Sequence, residues 1–227
     1  MSHDLHHALE HWLPWRMSND PSQELCEWLY TGGHRFVEPF FDDTISVCRK
    51  MPGNSHPFKS LSDLQVMEEW AASLQQINPS AIIFHVSRCG STLLSQLLSL
   101  DGENIVLSEV PFLDAMLRLP FNRPSIDTGI SIALLNAAVK FYGRTTNGNK
   151  KKLVIKTDSW HLHFYGQLRA LYPEVPFVLL YRNPAEVLLS QERQRGMHAV
   201  PGIIEPAVFG FTKTQTEQPN LNLYMTM

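Results

Sequence analysis

Short apolar runs begin to alternate with amphipathic stretches at Ala81. Four of these runs have the length and continuity of buried strands, and they cover residues 81–86, 105–107, 153–156 and 177–181. Strands that are apolar along their whole length and separated by helices are typical of a parallel sheet covered on both faces. The pattern therefore predicts an α/β fold. Its functional residues are expected beyond the carboxyl ends of the strands.

Residues 1–80 lack this alternation and are predicted to form a mainly helical N-terminal extension. The pair Asp20-Pro21 is typical of a helix start. Ser62 and Gln65 have the spacing of a capping box for a second helix. The sequence is thus divided into this extension and an α/β domain over residues 81–227.

Composition narrows the class of protein. Hydrophobic residues make up 44% of the 227 positions and charged residues 18%, which suits a well-cored globular protein rather than a disordered chain. A net charge of −3 argues against a strongly basic nucleic-acid binder. The three cysteines do not have the spacing of metal ligands; they are Cys26, Cys48 and Cys89. No apolar run is long enough to form a membrane helix. We therefore expect a cytoplasmic protein with no membrane or nucleic-acid partner.

The first predicted strand leads into a loop with the features of an anion site. Gly90 allows the backbone to approach a ligand closely, and Ser91 and Thr92 open a leucine-rich helix whose N-terminal N–H groups attract negative charge. Arg88 adds a cation to the loop. A Walker A loop would need a lysine here, and the loop has none. An ordinary strand-to-helix turn with a capping serine is the alternative interpretation.

The fourth predicted strand ends in a second basic motif. Arg182 follows the strand, Pro184 opens a helix, and Ser190 lies eight positions after the arginine. Taken alone, an arginine after a strand is more often a surface ion-pair partner.

The two motifs together resemble those of sulfotransferases that use 3′-phosphoadenosine 5′-phosphosulfate. The segment 88–94, Arg-Cys-Gly-Ser-Thr-Leu-Leu, is similar to their 5′-phosphosulfate loop, and the segment 182–190 is similar to their 3′-phosphate motif. The resemblance covers residues 81–196, about half of the chain. It implies a three-layer, P-loop NTPase-like parallel sheet and this nucleotide as co-substrate. The implied nucleotide-binding residues are Arg88, Cys89, Gly90, Ser91, Thr92, Leu93, Arg182 and Ser190.

The resemblance also implies catalytic residues. Glu109 lies twenty-one positions after Arg88, where tyrosylprotein sulfotransferases place their catalytic glutamate. Lys156 and Asp158 belong to a Lys-Thr-Asp segment, where small-molecule sulfotransferases carry Lys-Thr-His. We expect Glu109 to act as general base, Lys156 to neutralise the transferring group and Asp158 to be the alternative base. No metal is expected, since a sulfuryl group carries less charge than a phosphoryl group.

The implied reaction moves a sulfuryl group to a hydroxyl or amine of a small molecule or peptide. Two other functions stay open. One is a nucleotide kinase or NTPase in which Asp158 would bind magnesium. The absence of a lysine in the loop argues against this function. The other is a non-catalytic nucleotide-binding or interaction protein. It is favoured by the sequence after Gly196, which lacks the Gly-rich basic loop of these enzymes and is incomplete relative to the family.

Overall fold

The computed structural model has an α/β fold in which an antiparallel sheet precedes a parallel sheet flanked by helices. The residues that it describes are 9–18, 20, 23–144, 152–197, 200 and 202–211. The strands are β1 (Trp12–Met17), β2 (Leu25–Tyr30), β3 (Leu61–Asp63), β4 (Ala81–His85), β5 (Asn104–Ser108), β6 (Lys152–Lys156) and β7 (Phe177–Leu180).

Seven α-helices and three short 3-10 helices connect the strands within the described residues. The α-helices are α1 (Phe41–Cys48), α2 (Leu64–Ala72), α3 (Ser91–Ser99), α4 (Pro111–Asn122), α5 (Thr128–Tyr142), α6 (Tyr165–Leu171) and α7 (Pro184–Arg193). The 3-10 helices are Pro52–Asn54, Ser159–Phe164 and Pro206–Phe209. In the described part of the chain, no helix combines the length and the apolarity needed to cross a bilayer.

The four predicted parallel strands are confirmed. They pair in the order β5-β6-β4-β7, and every pairing is parallel. The carboxyl ends of β4, β5 and β6 therefore meet at one edge of the sheet. The leucine-rich helix predicted to open at Ser91 is also confirmed, as α3. In α5, the Asp127 carboxylate accepts a hydrogen bond from the Ile130 N–H.

The expected helical character of residues 1–80 is wrong, because part of this region forms the antiparallel sheet β1-β2-β3. Where a helix was expected after Asp20, the chain forms β2, which pairs with β1 on one side and β3 on the other. Pro21 lies outside the described residues. The second helix exists as α2, but its cap is the Asp63 carboxylate, which accepts from the Val66 N–H at 2.7 Å. Ser62 lies on β3 and accepts from Trp28 Nε1.

The antiparallel sheet packs onto the helices of the parallel-sheet region. Trp28 meets Phe141 edge to face at 4.9 Å, and the Tyr142 hydroxyl donates to the Pro14 carbonyl. Further along the chain, Ser108 Oγ at the end of β5 donates to the Pro39 carbonyl. These contacts hold the segment before α1 beside the carboxyl edge of the parallel sheet.

The predicted full burial of the fourth parallel strand is wrong. Val178 is 40% exposed and Leu179 53% exposed. Within the described residues, β7 is an edge strand with β4 as its strand partner. A continuous apolar run indicates a strand, but its burial depends on neighbours that lie elsewhere in the chain.

Candidate functional site

Two neighbouring cavities lie at the carboxyl edge of the parallel sheet. The loop cavity, of about 300 Å³, is lined by His85, Ser87, Arg88, Gly90, Ser91 and Thr92. The side cavity, of about 440 Å³, is lined by Asp42, Asp43, Pro111, Asp114, Arg118 and Ile203. Both cavities share Phe40, Glu109, Asp158, Trp160 and Met197. Two molecules held in them would therefore meet beside Glu109 and Asp158.

Backbone strain is concentrated at this edge. Arg88 has a φ of 62° and Glu109 a φ of 55°, and they are the two non-glycine residues with positive φ in the described ranges. A side chain in this left-handed region costs about 1 kcal/mol or more and persists where the surrounding structure enforces it. Both residues were predicted to be functional from sequence, and the strain supports that prediction.

The segment 87–92 has the geometry of an anion-binding loop. Gly90 takes a φ of 87° directly before α3, a conformation that favours glycine. The N-terminus of α3 has no side-chain cap, so the N–H groups of residues 91–93 are left for a ligand.

Arg88 gives independent support for an anion here. Its guanidinium donates to the Gln194 carbonyl at 2.7 Å, while its Nε is buried and has no hydrogen-bond partner within the described residues. A buried N–H without an acceptor is costly, and an anionic oxygen in the loop cavity would satisfy it. The residues therefore fit the phosphosulfate group that the resemblance implies.

Glu109 lies in a cluster of three charged or titratable side chains. Lys156 is 1% exposed and its Nζ donates to Glu109 Oε1, and His85 Nε2 lies 3.3 Å from the same oxygen. Burial alone would raise the pKa of Glu109, but the hydrogen bond from His85 and the charge of Lys156 outweigh it and lower the pKa. Glu109 is therefore an anion near neutral pH, with both contacts on one oxygen.

Asp158 is the second carboxylate of the shared wall and is 5% exposed. Burial raises its pKa to about 7, the neighbouring carboxylates Asp114 and Glu109 add to the rise, and His161 and Lys156 oppose it. The wall shared by the two cavities thus carries two carboxylates whose pKa values are shifted in opposite directions.

The raised pKa of Asp158 predicts a pH-dependent stability. Burying the ionised Asp158 carboxylate costs folding free energy. This cost is absent below about pH 4, where the carboxyl is protonated in both the folded and the unfolded protein. It grows as the pH rises towards 7 and is complete above that pH. We expect Asp158→Asn to gain about 2–4 kcal/mol of unfolding free energy relative to the wild type between pH 4 and pH 8. Urea unfolding of both proteins at these pH values measures the difference. Asp101→Asn, on an exposed turn, is the control, and a pH-independent difference for Asp158→Asn would contradict the assignment.

Asp114, Asp158 and His161 have ligand atoms within 4.8 Å of one another, which is a spacing suited to a metal. However, the His161 ring is occupied on both sides. Its Nδ1 accepts from the Asp158 N–H at 3.2 Å, and its Nε2 faces Asp114 Oδ1 at 2.9 Å. Arg118 also donates to Asp114, at 2.6 Å. The group is therefore a hydrogen-bond network that holds the segment after β6 against α4.

The other predicted residues lie at different distances from the cavities. Arg182 donates to the Arg88 carbonyl at 3.3 Å and also pairs with Glu186, so it touches the anion loop from outside the loop cavity. Ser190 is half-buried on α7 and is not brought to Arg182 by any described hydrogen bond. Cys89 is half-buried, and Leu93 is 64% exposed.

Several residues of the site were missed from sequence. His85 could have been found, because it directly precedes the carboxyl end of a predicted strand. Phe40, Trp160 and Met197 had no such signal, since they come from segments that fold back onto the sheet edge. Phe40 places its ring 5.4 Å from Lys156 Nζ.

A comparison of the chain with models of protein families, with curated proteins and with solved structures finds no match. Function is therefore inferred from the side chains of the two cavities and from their spacing along the sequence. The predicted residues that meet in the loop cavity are Arg88, Gly90, Ser91, Thr92, Glu109 and Asp158.

Proposed function

We propose that this protein transfers a sulfuryl group from 3′-phosphoadenosine 5′-phosphosulfate to a hydroxyl or amine acceptor. The observation that carries the proposal is the strained pair Arg88 and Glu109. They line the same cavity, and they occupy the positions that the resemblance to sulfotransferases gives to the phosphosulfate loop and the base. The fold that accompanies the proposal is the three-layer, P-loop NTPase-like arrangement, which the parallel order of β4 to β7 supports.

The phosphosulfate would bind in the loop cavity. The uncapped N–H groups of residues 91–93 and the unpartnered Arg88 Nε provide donors for its oxygens. The contact of Arg182 with the Arg88 carbonyl keeps a second guanidinium beside the loop, where it would bind the 3′-phosphate. Ser190 on α7 would complete that shell after the nucleotide has bound.

The acceptor would bind in the side cavity, with its nucleophile beside the shared wall. Its oxygen or nitrogen forms a bond to sulfur as the bond from sulfur to the bridging phosphate oxygen breaks. The proton passes to Glu109, and 3′-phosphoadenosine 5′-phosphate leaves. Lys156 and Arg88 neutralise the oxygens around sulfur, which suits a loose transition state that needs charge and alignment.

Nucleotide binding tests the proposal without an acceptor. We expect calorimetry to show at least about tenfold tighter binding of 3′-phosphoadenosine 5′-phosphate than of ATP, because Arg182 would bind the 3′-phosphate. Arg182→Ala should weaken the binding of the bisphosphate about 10- to 100-fold, because charge-assisted hydrogen bonds to the 3′-phosphate are lost. Arg123→Ala, outside both cavities, is the matched control and should change the affinity less than twofold. Tighter binding of ATP, or no effect of Arg182→Ala, would refute the proposed nucleotide.

A further inference from the structure

His85 is a buried histidine that the reaction above does not use. It is the last residue of β4 and is 5% exposed. Its Nε2 lies 2.9 Å from the Thr157 carbonyl and 3.3 Å from Glu109 Oε1. Both of these atoms are hydrogen-bond acceptors, so Nε2 carries a proton and donates it. His85 therefore links the ends of three strands through one N–H group.

The two carboxylate oxygens of Glu109 differ in their contacts. Lys156 and His85 both contact Oε1. The backbone N–H of Glu109 donates to the Lys156 carbonyl at 2.9 Å. The second oxygen, Oε2, has no described hydrogen bond, and Glu109 lines both cavities. Oε2 is thus the atom available to an acceptor.

In the proposed reaction Lys156 would serve two partners, Glu109 and the sulfuryl oxygens. Its ammonium would be attracted to the sulfuryl oxygens as charge develops there, and each such contact competes with the one to Glu109. His85 has no such second role, because its other ring nitrogen faces the Val86 carbonyl at 3.3 Å. The His85 contact would remain when the Lys156 contact weakens.

We propose that His85 is a positioning residue, which anchors Oε1 of Glu109 during sulfuryl transfer and so keeps Oε2 directed at the acceptor. This inference rests on the proposed function, since it assigns the reaction's base. His85 also lines the loop cavity, but the role proposed for it does not depend on a contact with donor or acceptor. It acts through Glu109.

Two variants separate the hydrogen bond from the bulk of the ring. His85→Leu fills a similar space without a donor, and His85→Gln keeps an N–H at the end of a flexible chain. We expect His85→Leu to lower kcat at least about 30-fold, as for a lost positioning contact. His85→Gln should recover kcat to within about fivefold of the wild type. Equal losses in both variants would mean that the ring only packs.

A pH profile tests the route through Glu109. The charged and titratable groups that face Glu109 are Lys156 at the end of β6, Asp158 after it, Asp42 on α1 and His85 itself. Since a donor to a carboxylate stabilises the ionised form, His85→Leu should move the acid limb of kcat/KM to higher pH by about half a unit to one unit. An unmoved limb would overturn the inference.

A double variant and an NMR titration that requires no turnover complete the test. In Glu109→Gln, adding His85→Leu should cause no further loss of kcat, whereas multiplicative losses would show that His85 acts elsewhere. If the wild type transfers no sulfuryl group, the proposed function fails. The inference can then be judged by the NMR titration of the Glu109 carboxyl carbon, which His85→Leu must still move to higher pH. Should His85→Leu not fold, His85→Asn, whose amide is too short to reach Glu109, replaces it.

Discussion

Replacing Glu109 by glutamine should lower the rate of sulfuryl transfer about a thousandfold, the worth of a well-placed general base. The amide keeps the shape of the side chain but cannot accept the acceptor's proton. Nucleotide affinity should change less than twofold, because the loop donors that hold the phosphosulfate are untouched. Steady-state kinetics and calorimetry on Glu109→Gln measure the two quantities. Glu103→Gln, on the exposed turn before β5, is the matched control and should keep the wild-type rate.

The same experiment decides between the two carboxylates of the shared wall. Asp158 has a pKa raised to about 7, which suits a base at neutral pH, whereas Glu109 has a lowered pKa and a free oxygen. We assign the base to Glu109 because its neighbours hold it in one orientation, while Asp158 belongs to the hydrogen-bond network of His161. Retained turnover in Glu109→Gln together with its loss in Asp158→Asn would move the base to Asp158.

Replacing Lys156 by methionine should lower the transfer rate about 100- to 1000-fold and also destabilise the fold. The rate falls because a charge that stabilises the sulfuryl oxygens is removed. The fold is destabilised by about 3 kcal/mol, since a buried carboxylate loses its cationic partner. Kinetics and urea unfolding of Lys156→Met measure the two effects.

A double variant separates these effects. Lys156→Met with Glu109→Gln removes both charges, so it should recover most of the lost unfolding free energy but none of the turnover. If the double variant stays as unstable as Lys156→Met, the lysine stabilises the fold through its packing near Phe40 instead of through its charge.

Much of the parallel sheet could be predicted because its signals are local. The four apolar runs and the leucine-rich helix α3 are each specified by neighbouring residues, and the structure confirms them. The antiparallel sheet could not be predicted in this way. The strand β2 pairs with residues 61–63, which lie more than thirty positions along the chain, and a short run such as Leu25–Tyr30 fits a helix or a strand until its partner is known.

The candidate site likewise contains residues that could be predicted from the sequence and residues that could not. Arg88 and Glu109 were identified because their spacing resembles that of the sulfotransferase motifs. The side cavity was not identified, since Phe40 comes from a distant segment that contacts the sheet edge through the hydrogen bond from Ser108 to the Pro39 carbonyl. His85 was overlooked although it lies near the end of a predicted strand, because its contact with Glu109 is seen only in the structure.

The most direct test of the central claim follows radiolabelled sulfur from 3′-phosphoadenosine 5′-phosphosulfate to an acceptor. Purified wild-type protein would be incubated with the labelled donor and, in turn, with tyramine, ethanolamine and a tyrosine-containing peptide, beside Glu109→Gln. The proposed function predicts label on at least one acceptor, an equal amount of 3′-phosphoadenosine 5′-phosphate, and almost none of either with Glu109→Gln. Tight binding of the donor with all label left on the nucleotide would contradict it and favour a non-catalytic nucleotide-binding protein.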